Sequence, residues 1–258
     1  MRFKHSKPVS TFIMMILAFF VSYGFYFNLK KTPHFPVETP RIKEGESYLQ
    51  HLAYGFVYDE EHEQAKWIAY CLTKKEALGT FERSDNFEED PLVTSGTASD
   101  RDYAKSGYDR GHLAPAADMR WSNISMEESF YYSNMSPQIP AFNRGIWKKL
   151  EEKVRSWAVT LDSVLIVTGP ILTPNLPHIG IHQVSVPRYY YKAIVDLKGP
   201  HSKAIAFVLP NAGSKRPLME FALSINELEK LTNIDFFYQL DDSLENSLES
   251  IICKTCWP

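Results

Sequence analysis

The chain is poor in cysteine, poor in glycine and without an excess of positive charge. Three cysteines in 258 residues are too few for a disulfide scaffold. Twelve glycines and 16 prolines exclude a collagen-like repeat or a low-complexity chain. Twenty-eight Lys and Arg are outnumbered by 31 Asp and Glu, for a net charge of −3, so there is no global field of the kind that coats nucleic acid in bulk. Any polyanion has to be met locally. Cys253 and Cys256 form a lone CxxC; with no second pair and no nearby His at ligand spacing, zinc is disfavoured. A local disulfide or two free thiols is expected there, export favouring the disulfide, and Cys71 reads as a buried strand residue. What is present is ordinary for a folding chain, 44% hydrophobic and 23% charged. Without its N-terminal segment it retains roughly 225 residues, enough for one domain with a sizeable core.

That N-terminal segment, residues 1–30, has its own pattern. Arg2, Lys4 and Lys7 precede the apolar run Val9 to Phe27, and Lys30 and Lys31 close it. As a helix the run would reach roughly 30 Å, the thickness of a hydrocarbon core. It reads as a signal-anchor or signal peptide, and the uncleaved anchor is favoured because no Ala-x-Ala-like site precedes Lys30. The three N-terminal basic residues favour a cytoplasmic N-terminus with the globular part outside, so the expected location is exported: membrane-anchored, or secreted if the segment is cleaved. Residues 31–47, with Pro33, Pro36 and Pro40, read as an extended spacer. The domain is expected over 48–258.

Within it, Val57 and Trp67 to Leu72 alternate as half-buried strands do. Arg83 to Tyr108 is polar and turn-rich, hence mostly loop. Met126 to Phe130 suits a short helix capped by Ser122 or Ser125. From Phe142 to Trp157 the apolar positions Ile146, Leu150, Val154 and Trp157 step by four, four and three, one face of a helix. Val164 to Val167 is a continuous strand-type run stopped by Gly169-Pro170; Tyr189 to Val195 and Ala204 to Leu209 are two further strands. Ser224 to Leu231 is a short helix, and Asp235 to Leu240 a last element. Strands outnumber helices in mixed order, so the fold class is α+β with a mixed, largely antiparallel sheet.

One constellation carries chemistry. Asp109-Arg110-Gly111-His112 places a carboxylate, a guanidinium and an imidazole within four residues around a permissive glycine,. Alone, this is also the composition of a surface turn with an ion pair. About 30 residues on, Asn143, Trp147 and Glu151 follow at spacing four, within roughly 80° on a helix, so a carboxamide and a carboxylate can face one cleft. Such hard oxygen donors suit Mg²⁺, which keeps most of its waters; the plainer readings are an N-cap for Asn143 and a solvated ion pair for Glu151.

Taken together with Asn134-Met135-Ser136-Pro137-Gln138, Asn143-Arg144-Gly145-Ile146-Trp147 and Leu150-Glu151, the motif resembles the DNA/RNA non-specific endonuclease family, the ββα-metal or His-Me finger nucleases. The resemblance continues through Phe81 to Phe87, Thr168-Gly169-Pro170, Val186-Pro187 to Tyr191-Lys192 and Asn226 to Phe237, covering roughly Ala53 to Phe237. It implies a ββα-metal motif and a metal-dependent, sequence-non-specific endonuclease acting on DNA and RNA. On that resemblance His112 is the general base and Asn143 the direct ligand of Mg²⁺, with Mn²⁺ a substitute. Glu151 holds metal-bound waters and helps protonate the leaving group, and Arg110 and Arg83 clamp phosphate. Arg144, with Lys148, Lys149, Lys153 and Arg155, either lines the groove or forms a wet helix face. Asp109 orients the loop or Arg110, and Asn134 anchors the strand-to-helix connection. The expected partners are DNA and RNA, a membrane through the N-terminal segment, and an inhibitor protein if the domain meets the cell's own nucleic acids. Two alternatives stand beside this reading: a catalytically inactive nuclease-like binding module, and a phosphodiesterase for small nucleotides.

Overall fold

The computed structural model describes residues 35–198 and 202–258. The segment expected as a signal-anchor lies outside the described residues. Among those described, no helix is long and apolar enough to cross a membrane. The domain unit runs from Val37 to Pro258. Its first residues form only turns before Tyr48, yet Thr39 is fully buried, Val37 and Ile42 pack on an apolar cluster, and the Arg41 amide donates to the Asp235 carbonyl at 2.9 Å.

The strands, in chain order, are β1 (Tyr48–Gln50), β2 (Gly55–Asp59), β3 (Gln64–Thr73), β4 (Asp109–His112), β5 (Met135–Gln138), β6 (Ser163–Pro170), β7 (His178–Ile179), β8 (Val184–Ser185), β9 (Tyr189–Asp196), β10 (Lys203–Pro210) and β11 (Ala222–Leu223). Seven of them make one sheet in the order β1-β2-β3-β6-β9-β10-β11, with every neighbour antiparallel. The helices are α1 (Lys74–Ala77), α2 (Asp100–Tyr103), α3 (Asn123–Glu128), α4 (Lys148–Leu161), α5 (Ile225–Thr232) and α6 (Asp242–Ser250).

The central strands are buried on both faces, which is why β6 reads as a continuous apolar run. Period-two alternation divides its residues: Val164 and Ile166 join the cluster beneath α4, Leu165 and Val167 the cluster beneath α5 and α6,. Helix α4 sits on the first face through Leu150, Val154 and Trp157, the stripe expected from spacing. Helix α3 starts behind Ser122, whose hydroxyl accepts the Ser125 amide. Ser224 and Glu227 form a reciprocal capping box on α5,.

Two expectations are corrected. Gly169-Pro170 does not stop β6 but belongs to it. A Cβ at residue 169 would lie 2.7 Å from the Lys66 carbonyl oxygen and 2.8 Å from the Tyr191 hydroxyl, so a strand interior needs glycine there, and Pro170 occupies the last position, where a missing N–H is tolerated. Asp235 to Leu240 is neither helix nor strand. Phe236 and Phe237 are buried anchors of a loop, with Phe237 at φ 54°. The last element is α6, whose Asp241 cap accepts the Ser243 amide.

Candidate active site

β4 and β5 pair antiparallel, Gly111 opposite Ser136 and His112 opposite Met135. A Cβ at residue 111 would fall 2.2 Å from the Gln138 side chain, so the glycine lets the two strands close. His112 ends β4, and the chain beyond it is clamped by Asn134. The Asn134 carboxamide oxygen accepts the Ala114 amide at 2.8 Å, and its nitrogen donates to the carbonyls of Ala114 at 2.9 Å and Ser129 at 2.7 Å. The imidazole lies edge-on to Phe130, 4.9 Å between centroids. Its Nε2 is enclosed without a hydrogen-bond partner, which leaves Nδ1 to meet a water. Burial, reinforced by the Arg83 and Arg110 guanidiniums, pushes its pKa down to about 3,. The ring is therefore neutral through the physiological range.

The opposite wall begins with a π-helical segment, Phe142–Trp147, in which Gly145 departs from helical geometry at φ −109°, ψ −108°. The sequence suggests a plain α-helix here, because the i, i+4 apolar stripe runs on either side of the kink and leaves no trace of it; irregular helical turns of this kind recur at functional sites. Asn143 Nδ2 donates to Asp109 Oδ2 at 2.9 Å, and Arg144 donates twice to the same carboxylate, at 2.8 and 2.6 Å. Asp109 thus orients Asn143 and Arg144, not Arg110. Trp147, expected alongside Asn143 and Glu151, is fully buried against Phe142 and Tyr190.

Between the walls lies a cleft of about 530 Å³, lined among others by Arg83, Arg110, His112, Asn143, Glu151 and Arg155. Arg83 pairs with Asp85 at 2.6 Å and lies over the Phe130 ring. Arg110 pairs with Asp100 and stacks 3.8 Å from the Phe87 centroid. Burial pushes the Glu151 carboxyl well above the usual carboxylate range, with the Lys192 ammonium opposing. Of the basic helix set, Arg144, Lys148 and Arg155 line the cleft, whereas Lys153 turns away onto Trp157.

Sequence reasoning gave no role to the charged layer beneath. Asp118, 1% exposed, accepts Tyr70 Oη at 2.8 Å and Arg155 Nε at 2.7 Å. Lys192, equally buried, reaches the Leu113 carbonyl at 3.5 Å and lies over Trp147. A lysine in the middle of the apolar run Tyr189 to Val195 was the available signal.

Among the described residues no three His, Cys, Asp or Glu gather as a metal cage. The donor set fits a different kind of site. Asn143 has its amide nitrogen committed to Asp109, so its oxygen is the atom left for a cation. A hard cation that retains its waters needs few protein ligands.

An antiparallel strand pair followed by a helix, with His on the strand and Asn on the helix across one cleft, is the ββα-metal arrangement expected from the sequence. Residues 35–243 match the DNA/RNA non-specific endonuclease family, and the chain belongs to that family. It is 36% identical over 211 residues to the mitochondrial nuclease EXOG of Danio rerio, covering 75% of this chain and 61% of the relative; the chain therefore spans about three fifths of that relative's length. It is 35% identical to nuclease C1 of Cunninghamella echinulata var. echinulata, covering 76% and 84%. Against mitochondrial endonuclease G of Bos taurus the identity is 33%, covering 71% and 67%. A crystal structure of the EndoG/EndoGI complex, concerned with EndoG inhibition, superposes with a TM-score of 0.73 at 30% identity, over 80% of this chain and 90% of that one.

Proposed function

We propose that this chain is a Mg²⁺-dependent endonuclease that hydrolyses phosphodiester bonds in DNA and RNA without reading sequence. The observation that carries the reading is a neutral, buried imidazole facing across one cleft an asparagine whose amide nitrogen is already tied. Arg110 and Arg83 bring guanidinium forks to the same cleft, suited to two phosphate oxygens each. Phosphate contacts position a strand without specifying it.

The work divides among the chain's own groups. The Arg83 and Arg110 guanidiniums seat the scissile phosphate beside His112. The unprotonated imidazole takes the proton of the attacking water. Asp109 holds the Asn143 carboxamide in one orientation, presenting its oxygen to the cation. Mg²⁺ held there would act as a Lewis acid, neutralising charge that develops on the phosphate and the leaving 3′ oxygen. Glu151, its carboxyl raised by burial, would hydrogen-bond waters around the cation and favour delivery of a proton from one of them to that oxygen.

We further propose that the chain works outside the cytoplasm, held by its N-terminal segment. Supporting this are the uncharged stretch Pro8 to Leu29 behind three basic residues and the Cys253–Cys256 disulfide, a bond favoured in oxidising compartments. An inhibitor protein is the partner expected where the chain meets its host's own nucleic acid, as the EndoG/EndoGI complex supports by analogy.

The test is nicking of supercoiled plasmid and of a structured RNA by the purified protein. Cleavage of both in Mg²⁺, none in EDTA, and recovery with added Mg²⁺ or Mn²⁺ are expected. Cleavage that persists in EDTA overturns the metal-dependent mechanism. No cleavage under any metal leaves the inactive binding module as the reading.

A further inference from the structure

A second cavity, of about 570 Å³, adjoins the cleft and shares Arg83, Arg110, Asn143 and Arg144 with it. Its lining adds the carboxylates Asp85 and Asp100, which pair with Arg83 and Arg110, and the rings of Phe87 and Tyr108. A polynucleotide whose reacting phosphate sits between His112 and Asn143 must send the adjacent nucleotide to one side. Each arginine of this cavity is paired with a carboxylate, Arg83 with Asp85, Arg110 with Asp100 and Arg144 with Asp109, so its lining has no surplus positive charge for a second phosphate, and aromatic rings offer a phosphate nothing. A nucleobase matches both features: it has π faces for stacking and N–H groups for a carboxylate acceptor.

The wall is arranged for such an occupant. Asp100 is fixed through Oδ1 by the Tyr132 hydroxyl at 2.5 Å and by Arg110, while its side chain remains 71% exposed. The Arg110 guanidinium carbon lies over Phe87, 3.8 Å from the centroid, a layer against which a base can pack, and Tyr108 lines the same cavity half-buried.

We propose that this cavity is a subsite for one unstacked nucleobase next to the scissile phosphate, stacked against Tyr108 and the Arg110–Phe87 layer and donating N–H groups to Asp100 and Asp85. The proposal rests on the nuclease reading and deepens it. Two consequences follow. A strand whose base is free to leave the stack is a better substrate than a duplex. Adenine and cytosine, with exocyclic amino groups, are modestly preferred to thymine and uracil, which lack them.

The experiment measures kcat/KM in Mg²⁺ on single-stranded oligo(dA), oligo(dC) and oligo(dT) of one length, and on a strand of the same length carrying abasic residues. Wild type is compared with Tyr108→Ala, Tyr108→Phe and Asp100→Asn, the fold of each checked by thermal melting. Tyr108→Ala is expected to lose about tenfold on oligo(dA), the scale of one lost base stack, and nothing on the abasic strand, while Tyr108→Phe behaves as wild type. Asp100→Asn is expected to erase the preference of dA and dC over dT, whatever it does to the common rate through Arg110. Equal effects of Tyr108→Ala on oligo(dA) and the abasic strand, or a base preference unchanged in Asp100→Asn, overturn the subsite. A wild-type protein that nicks supercoiled plasmid but cleaves none of the strands also overturns the subsite, whereas one that cleaves neither overturns the nuclease reading itself, so the two failures are distinguishable.

Discussion

The two faces of the seven-stranded sheet are made from the same strands and put to opposite uses. On β9, Tyr191, Ala193 and Val195 point to one side and Tyr190, Lys192 and Ile194 to the other,. The first side is closed by Ile225, Leu228, Phe236 and Leu248 in ordinary apolar packing. The second supports the cleft, and there Lys192 and Asp118 are as buried as the leucines around them. Buried charge is costly unless paired. Its concentration under His112 and Glu151 marks the face where electrostatics, not packing, sets the behaviour of the molecule.

The contrast can be broken from either side. The largest effect is expected from His112→Ala, which removes the base: plasmid nicking should fall by about 10²–10⁴ in a protein that still unfolds cooperatively on heating, with the melting temperature lowered by loss of a buried ring. Retained activity would reject the base assignment. On the far face, Phe236→Ala should do the reverse, costing about 3–5 kcal/mol of stability in a denaturant titration while kcat at 25 °C is preserved. A loss of kcat there would show that the faces are coupled.

A smaller effect is expected from Asp109→Ala, which frees the Asn143 carboxamide to rotate. Groups that orient a metal ligand are worth about 10–100-fold, and the loss should appear mainly as a higher Mg²⁺ requirement in a metal titration. If saturating Mg²⁺ restores nothing, Asp109 acts otherwise. The smallest is a pH effect on stability. The imidazole of His112 takes a proton near 6.5 when unfolded and only near 3 when folded, so between those values the unfolded state binds the extra proton and stability falls as pH falls. From pH 7 to pH 5, wild type should lose up to about 2 kcal/mol more than His112→Phe, by chemical denaturation at each pH.

How much of this was legible in the sequence differs between the same two faces. Apolar periodicity reveals β3, β6, β9, β10 and the α4 stripe, because burial on a regular element leaves a repeating trace. It misses α6, since Asp242–Ser250 is mostly Ser, Glu and Asn with leucines only at 244 and 248. It also takes Phe236-Phe237 for an element when two aromatic rings can anchor a loop as well. In the cleft, Arg110 and His112 within one short motif, and Asn143 and Glu151 at helical spacing, were legible as candidates; Arg83 and the roles of all of them came only with the family resemblance. Their partners were not legible. Asp100 with Arg110, Asp109 with Asn143 and Asp118 with Arg155 are pairings across 10 to 37 positions, set by the fold and leaving no local pattern.

The π-helical segment Phe142–Trp147 has a consequence of another kind. It is broken at Gly145, whose φ −109° and ψ −108° lie outside helical geometry, so the angular offset between Asn143 and Glu151 depends on the backbone of that kink as well as on side chains. Deleting Gly145 would take out the kink together with one residue of helical phase, about 100°, and so re-aim Asn143 relative to Glu151 with every cleft residue still present. Variation in this stretch should therefore tolerate exchange of one residue type for another far better than a change in their number.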